Sequence, residues 1–307
     1  MDSQQTYLLN GLLVRQFAVG RIVRFRQAHR GRQAETFELF TAEEHEYLVQ
    51  LYPPHYSAEQ LNAAAAAVNT LDGHRFSVVP FIASKQGAFA AEGLQQGHLL
   101  LSLAPTGSAL SSQQYTEHDI SQLGLRLGWM HRLMREQLAE PAVQATLADR
   151  FYDLHFAPSP EGPRVKPTED GPLERIHALL NLPVARGWAH GDIQTAGLLH
   201  DGDQQLRAVM DWGLLHFGCP LEDVVDAFWW VALDHNGRLD VTRGRALLEA
   251  YDSLVPIRRV AWTPVVAWWC AQRVVDFAAK RRELPDGFYQ SILPAPERLA
   301  TALASCL

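Results

Sequence analysis

The sequence predicts an α+β chain built as two lobes, β-rich over residues 1–104 and mostly helical over 105–307. Three observations carry that prediction. Apolar and polar residues alternate over 21–25, 35–40 and 46–52 as in half-buried strands, and the third run, ending YLVQLY, stops at Pro53-Pro54. The segment Ala104-Pro105-Thr106-Gly107 punctuates the chain. Beyond it the apolar residues recur with a helical period, and no internal repeat appears.

In chain order, Leu8, Leu9, Leu12 and Leu13 fall at mixed i+3 and i+4 spacing, predicting a helix over 5–19 packed at a sheet edge. The three strand-like runs follow, joined by HRGRQ and by a turn over 41–45. Ser57 with Glu59-Gln60 gives a helix start, and the alanine-rich LNAAAAAVNTL continues it to Leu71, where Asp72-Gly73 ends it. Residues 76–82 and 99–103 predict two more strands. In the second lobe, 117–136 places Ile120, Leu123, Leu127, Met130 and Leu133 on one face of a long core helix, with His131 as a packed core histidine. Residues 156–170, rich in Pro, Gly and charge, read as an exposed loop. Helices are expected over 173–182, 221–233, 243–254, 260–281 and 297–305.

Composition excludes several classes. With 307 residues, 47% hydrophobic and 20% charged, the chain can bury a full core. A formal charge of −7 argues against a nucleic-acid or anionic-membrane surface, since both require clustered Lys and Arg. The one short basic run, Lys280-Arg281-Arg282, reads as a solvated helix end. Cys219, Cys270 and Cys306 are few, odd in number and far apart, which fits a reducing compartment better than a disulfide framework. The N-terminus lacks a basic segment followed by a long apolar core, so the expected location is cytoplasmic, without membrane spanning.

The densest chemistry lies between Trp188 and Asp226. An apolar-flanked loop carries His190-Gly191-Asp192; two short apolar runs follow, split by the turn Asp201-Gly202-Asp203, and then Asp211-Trp212-Gly213. Asp192 and Asp211 thus bracket one hairpin and are expected to face the same cleft. Phosphoryl transfer asks for two such acids, one accepting a hydroxyl proton and one holding Mg²⁺, because the step depends on positioning and charge neutralisation.

These motifs, in this order, resemble the aminoglycoside phosphotransferase and choline kinase superfamily, the small-molecule branch of the kinase-like fold. A third motif, Gly218-Cys219-Pro220-Leu221-Glu222-Asp223, is similar to the family's G-D-P-x-x-D. The resemblance covers nearly the whole chain, and YLVQLYPP followed by SAEQLNAA is most similar to its bacterial stress-response kinase branch. It implies a two-lobed protein-kinase-like fold, with His190 and Asp192 catalytic, Asp192 as base, Asp211 as metal ligand and Asp223 bracing the catalytic loop. It also implies Mg and ATP or GTP as cofactors and a small-molecule acceptor. Trp229, Trp230, Asp226 and Trp268 lie where the family places its acceptor pocket, although adjacent tryptophans on a helix also suit an ordinary core.

The departures are specific. The family's strand-three Lys falls on Gln50, and no lysine precedes Lys85. The helix Glu that would pair with it falls on Ala63 or Ala64, and the metal-binding Asn falls on Gly197. The segment QAHRGRQAET has one glycine, too few for a loop folding over phosphates, while Arg24, Arg26, Arg30 and Arg32 lie near it as alternative cations. The expected function is a small-molecule kinase with a degraded phosphate and metal grip. The alternative is a pseudokinase that binds a ligand or a protein partner without turnover. His216 and Cys219, three apart, lack a second pair of ligands for a metal site.

Overall fold

A computed structural model describes residues 3–30, 34–140, 171–232, 238–279 and 296–307. The expected loop over 156–170 and the basic trio Lys280-Arg281-Arg282 lie outside these residues. In chain order the elements are α1 (Ser3–Gln16), β1 (Ile22–Arg30), β2 (Glu35–Thr41), β3 (Glu46–Tyr52), α2 (Ala58–Gly73), β4 (Ala91–Glu92), β5 (His98–Leu103) and β6 (Ser108–Ala109). There follow α3 (Glu117–Gln137), α4 (Pro172–Leu180), β7 (Gly187–Ala189), β8 (Leu198–His200), β9 (Leu206–Val209), β10 (His216–Gly218), α5 (Leu221–Val231), α6 (Val241–Asp252), α7 (Trp262–Ala279) and α8 (Pro296–Ser305). The fold is α+β, with a β-sheet N-terminal region and a helical C-terminal region. The chain divides into two compact units, one of residues 1–110 with 196–215, the other of 111–195 with 216–307.

The first unit is built on a five-stranded antiparallel sheet of order β1-β2-β3-β5-β4. Alternation along the strands sends Phe37, Leu39, Val49, Leu99 and Leu101 to one face. Leu9, Leu13 and Phe17, each four residues apart, cover that face from α1 and its C-terminal end. The helix therefore lies over the sheet face and not at its edge, and Leu8, off the stripe, stays 49% exposed. The opposite face carries Arg24 opposite Phe40, Arg26 opposite Glu38, and Gln50 opposite Thr36.

The sheet has more strands than the three adjacent runs suggest, yet residues 76–82 are not one of them. Val78 and Phe81 make only isolated bridges, to Val209 and Ser102. Asn69 of α2 instead satisfies Phe81 at both ends, accepting from its N–H at 2.7 Å and donating to its carbonyl at 2.9 Å, and Pro80 has no N–H for a ladder. Helix α2 starts as the sequence indicates, with the Ser57 hydroxyl accepting from Gln60 N–H at 3.1 Å. The same unit contains the small sheet β6-β8-β9, whose hairpin turn is held by Asp201 accepting from the N–H groups of Asp203 and Gln205.

In the second unit, α3 and α6 cross closely at glycine. A Cβ on Gly124 would lie 2.3 Å from the Leu247 carbonyl oxygen, so no larger residue fits there without displacement of the helices. Helix α7 buries Val265, Val266, Trp268, Trp269 and Cys270, as expected of a helix apolar all round. Strands β7 and β10 pair Ala189 with His216 and Gly187 with Gly218, bringing the two ends of the densest stretch together. Among the described residues no helix is long and apolar enough to cross a membrane.

Candidate active site

The His190-Gly191-Asp192 loop leaves β7 into the interior of the second unit. Its backbone is held by one acid. Asp223, in the first turn of α5, accepts from His190 N–H at 2.7 Å and from Gly191 N–H at 2.8 Å. Gly191 has φ of +84°, a left-handed conformation that glycine adopts at little steric cost. The Asp192 N–H donates to His190 Nδ1 at 3.1 Å, so the loop is also tied within itself.

Asp223 is itself braced. Its Oδ2 is 3.0 Å from His131 Nε2 on α3, and His131 Nδ1 is 2.8 Å from the Tyr251 hydroxyl on α6. In the neutral ring this places the proton on Nε2, toward the carboxylate, and leaves Nδ1 to accept from Tyr251. Burial, with the nearby Asp223 charge, pushes the Tyr251 phenol far up, so it stays a donor. Burial alone would raise the Asp223 carboxyl, but the His131 hydrogen bond, the nearby His131 and His190 rings and the Gly191 N–H outweigh it and hold it below the ordinary value. His131 is thus a member of this chain of contacts and more than core packing.

The Asp192 side chain, on a residue only 2% exposed, meets Arg273 of α7, whose Nη1 donates to Oδ1 at 2.9 Å. The other terminal nitrogen of Arg273 donates to Asp226, which also accepts from Trp269 Nε1 at 3.2 Å. Asp226 is therefore engaged inside the helical packing, beside the tilted Trp229–Trp269 pair. Trp268 is buried, while Trp229 and Trp230 are half-buried. The sequence reading passed over Arg273. The signal was present as a basic residue following WWCAQ in a largely apolar helical run that also carries Gln272 and Asp276.

The remaining expected positions lie in the first unit. Asp211 adopts φ 65° and ψ 47°, and Trp212 anchors the turn by donating Nε1 to the Val209 carbonyl at 2.9 Å. From α2, Gln60 Nε2 reaches the Gly213 carbonyl at 3.2 Å, a contact the sequence did not suggest. A Cβ on Gly197 would sit 3.4 Å from Asp211 Oδ2, so this residue, expected to correspond to the family's Asn, adjoins the Asp211 carboxylate. Gln50 and Ala64 are both buried, at 3% and 2% exposure. On the Gln50 face of the sheet, Arg26 Nε donates to Glu38 at 2.6 Å and the Arg24 guanidinium lies 3.9 Å from the Phe40 ring centre. His216 approaches Glu222 at 3.0 Å, and among the described residues no group of three or more His, Cys, Asp or Glu side chains could hold a metal. All three cysteines are buried free thiols.

A family model for the phosphotransferase enzyme family matches residues 24–257. The chain belongs to the phosphotransferase enzyme family. No curated protein sequence matches it significantly. Solved structures resemble this phosphotransferase-family chain over nearly its whole length. An amicoumacin kinase in complex with AMP-PNP and Ca²⁺ is 11% identical, with coverage of 99% of this chain and 93% of that one and a TM-score of 0.66. A microcompartment-associated aminopropanol kinase is 15% identical, with 98% and 95% coverage and a TM-score of 0.65. The choline kinase LicA from Streptococcus pneumoniae is 13% identical, with 98% and 97% coverage and a TM-score of 0.59. At such identities the likeness establishes the fold of this phosphotransferase-family member.

Proposed function

We propose that the chain is a small-molecule kinase that transfers the γ-phosphate of ATP or GTP to the hydroxyl of a small acceptor, with Asp192 as base and a weakened phosphate and metal grip. The observation that carries this reading is the Asp192 loop, its backbone fixed by Asp223 and its carboxylate fixed by Arg273 in a buried framework. A carboxylate held in one direction is what the proton-accepting step needs. Asp211 is proposed as the metal ligand. Mg²⁺ needs only one or two protein carboxylates when the remaining ligands are phosphates and waters, so Asp211 with Gly197 beside it suits a metal that arrives with its nucleotide better than a standing site. When bound, the ion would neutralise charge on the phosphoryl group in transfer. Arg24 and Arg26, on the sheet face that also carries Gln50, are proposed to supply the positive charge that the missing lysine would give.

The solved relatives include kinases of aminopropanol and choline, which favours an amine-bearing alcohol as acceptor, with Trp229, Trp230, Asp226 and Trp268 as its surroundings. The buried Gln50 and Ala64 and the side-chain-free Gly197 favour a second reading, a pseudokinase without turnover. One experiment separates them: measure ADP release with Mg-ATP or Mg-GTP across a panel of amino alcohols, for the parent chain and for Asp192→Asn. Acceptor-dependent turnover abolished by Asp192→Asn supports the kinase. Thermal stabilisation by nucleotide with no turnover on any acceptor supports the pseudokinase.

A further inference from the structure

Arg273 is a buried cation shared by two buried acids. Its residue is 5% exposed, those of Asp192 and Asp226 are each 2% exposed, and its two terminal nitrogens go one to each carboxylate. The spacing explains the geometry. Trp269 and Arg273 lie four apart on α7, Asp226 and Trp229 three apart on α5, so two facing stripes bring the guanidinium and the indole to the same carboxylate. A guanidinium does not give up its proton in a protein, and its planar fork fixes the direction of both acceptors.

We propose that Arg273 is a positioning residue for Asp192, holding its carboxylate in one orientation for an acceptor hydroxyl, while Asp226 draws off part of the guanidinium charge and so sets how firmly Asp192 is held ionised. The proposal rests on the reading of Asp192 as the base. Two opposing effects act at once. The cation favours the ionised carboxylate, the state a base requires, and it also weakens that carboxylate as a proton acceptor. Asp226 moderates the second effect by sharing the cation, so the pair of acids with one arginine is a balance and not a simple ion pair. Also at the loop are His190, whose Nδ1 accepts the Asp192 N–H, and Asp223, which holds the backbone from α5.

Opposite responses to two substitutions distinguish this role from mere bracing. The full chain is labelled with aspartate carrying ¹³C at its side-chain carboxyl. The Asp192 signal, assigned by its loss in Asp192→Asn, is followed against pH in the parent, Arg273→Gln, Arg273→Lys and Asp226→Asn. Arg273→Gln is expected to move the Asp192 midpoint upward by about one pH unit or more, because an attractive charge is lost. Asp226→Asn is expected to move it downward, because Asp192 then receives a larger share of the cation and loses a neighbouring negative charge. Arg273→Lys keeps the charge without the fork and is expected to preserve the midpoint while lowering kcat at unchanged KM. Midpoints that do not move, or that move in the same direction in Arg273→Gln and Asp226→Asn, overturn the proposal. Should Arg273→Gln fail to fold, the Arg273→Lys and Asp226→Asn titrations still decide it.

The pH–rate profile keeps the two readings apart. If the midpoints move as expected but neither parent nor variants transfer phosphate, the Arg273 balance stands and the kinase reading falls. If the parent turns over and its acid limb ignores Arg273→Gln and Asp226→Asn, the kinase reading stands and Arg273 has no positioning role.

Discussion

The Asp192 loop and the Asp211 turn sit in different units of the chain and are built to opposite standards. Around Asp192, charged and polar side chains from α3, α5, α6 and α7 converge: His131, Asp223, Tyr251 and Arg273, with each contact buried. In the first unit, the positions expected to carry the family's Lys, Glu and Asn hold Gln50, Ala64 and Gly197, and Gly197 adjoins the Asp211 carboxylate. The difference teaches that the setting of the proposed base and that of the proposed metal ligand can change independently. Removing an acid from a buried network of charges is expensive for folding, whereas replacing a Lys–Glu pair together leaves no uncompensated charge behind. The orientation of Asp192 is therefore locked into the stability of its unit. The proposed grip on phosphate and metal is not.

The largest effect is expected from breaking the braced side. Asp223→Ala orphans two backbone N–H groups and His131, and should lower unfolding free energy by about 3–5 kcal/mol in urea titration. Because the folded-state carboxyl is held below its ordinary value, Asp223 contributes stability that is present above the unfolded value of about 3.9 and is lost as pH falls through the folded one. The acid limb of stability should therefore be shallower in Asp223→Ala than in the parent, as read by urea midpoints taken at descending pH. On the emptied side, Gln50→Lys places an unpaired ammonium at a buried position and should cost about 3 kcal/mol. Adding Ala64→Glu should recover at least about 1 kcal/mol as coupling in a double-mutant cycle. A strictly additive pair would show that these positions no longer face each other. A smaller, favourable change is expected at Gly197→Asn, where the added Cβ is at ordinary contact distance from Asp211: a roughly tenfold tighter Mg-nucleotide complex, about 1.4 kcal/mol by titration calorimetry.

Much of this was legible in the sequence, for identifiable reasons. Strands β2 and β3, helix α2 with its Ser57 cap, and helix α3 announce themselves through period and end signals, which are local. The β8-β9 hairpin follows from its Asp-Gly-Asp turn. The failures are non-local. Residues 76–82 have the composition of a strand, but the Asn69 side chain takes the backbone groups of Phe81, and nothing in the segment itself reveals that. Helix α1 covers a sheet face because Phe17, beyond the helix end, extends the Leu9–Leu13 stripe. His131 could be placed in the core by its helix, but its partners Asp223 and Tyr251 lie 92 and 120 residues away. Arg273 shows the same limit. A basic residue in a largely apolar helix announces that it must find acids, without saying which.

Asp211 has a further consequence. An L-residue with a left-handed backbone stores strain that glycine would release, of the order of 1 kcal/mol. The turn is therefore a point where folding and chemistry pull apart: Asp211→Gly is expected to melt at a higher temperature than the parent while losing any thermal response to Mg-nucleotide. A proposed ligand position is one where stability is commonly traded for chemistry. At this one, a gain in melting temperature would measure what the chain gives up to keep a carboxylate in place.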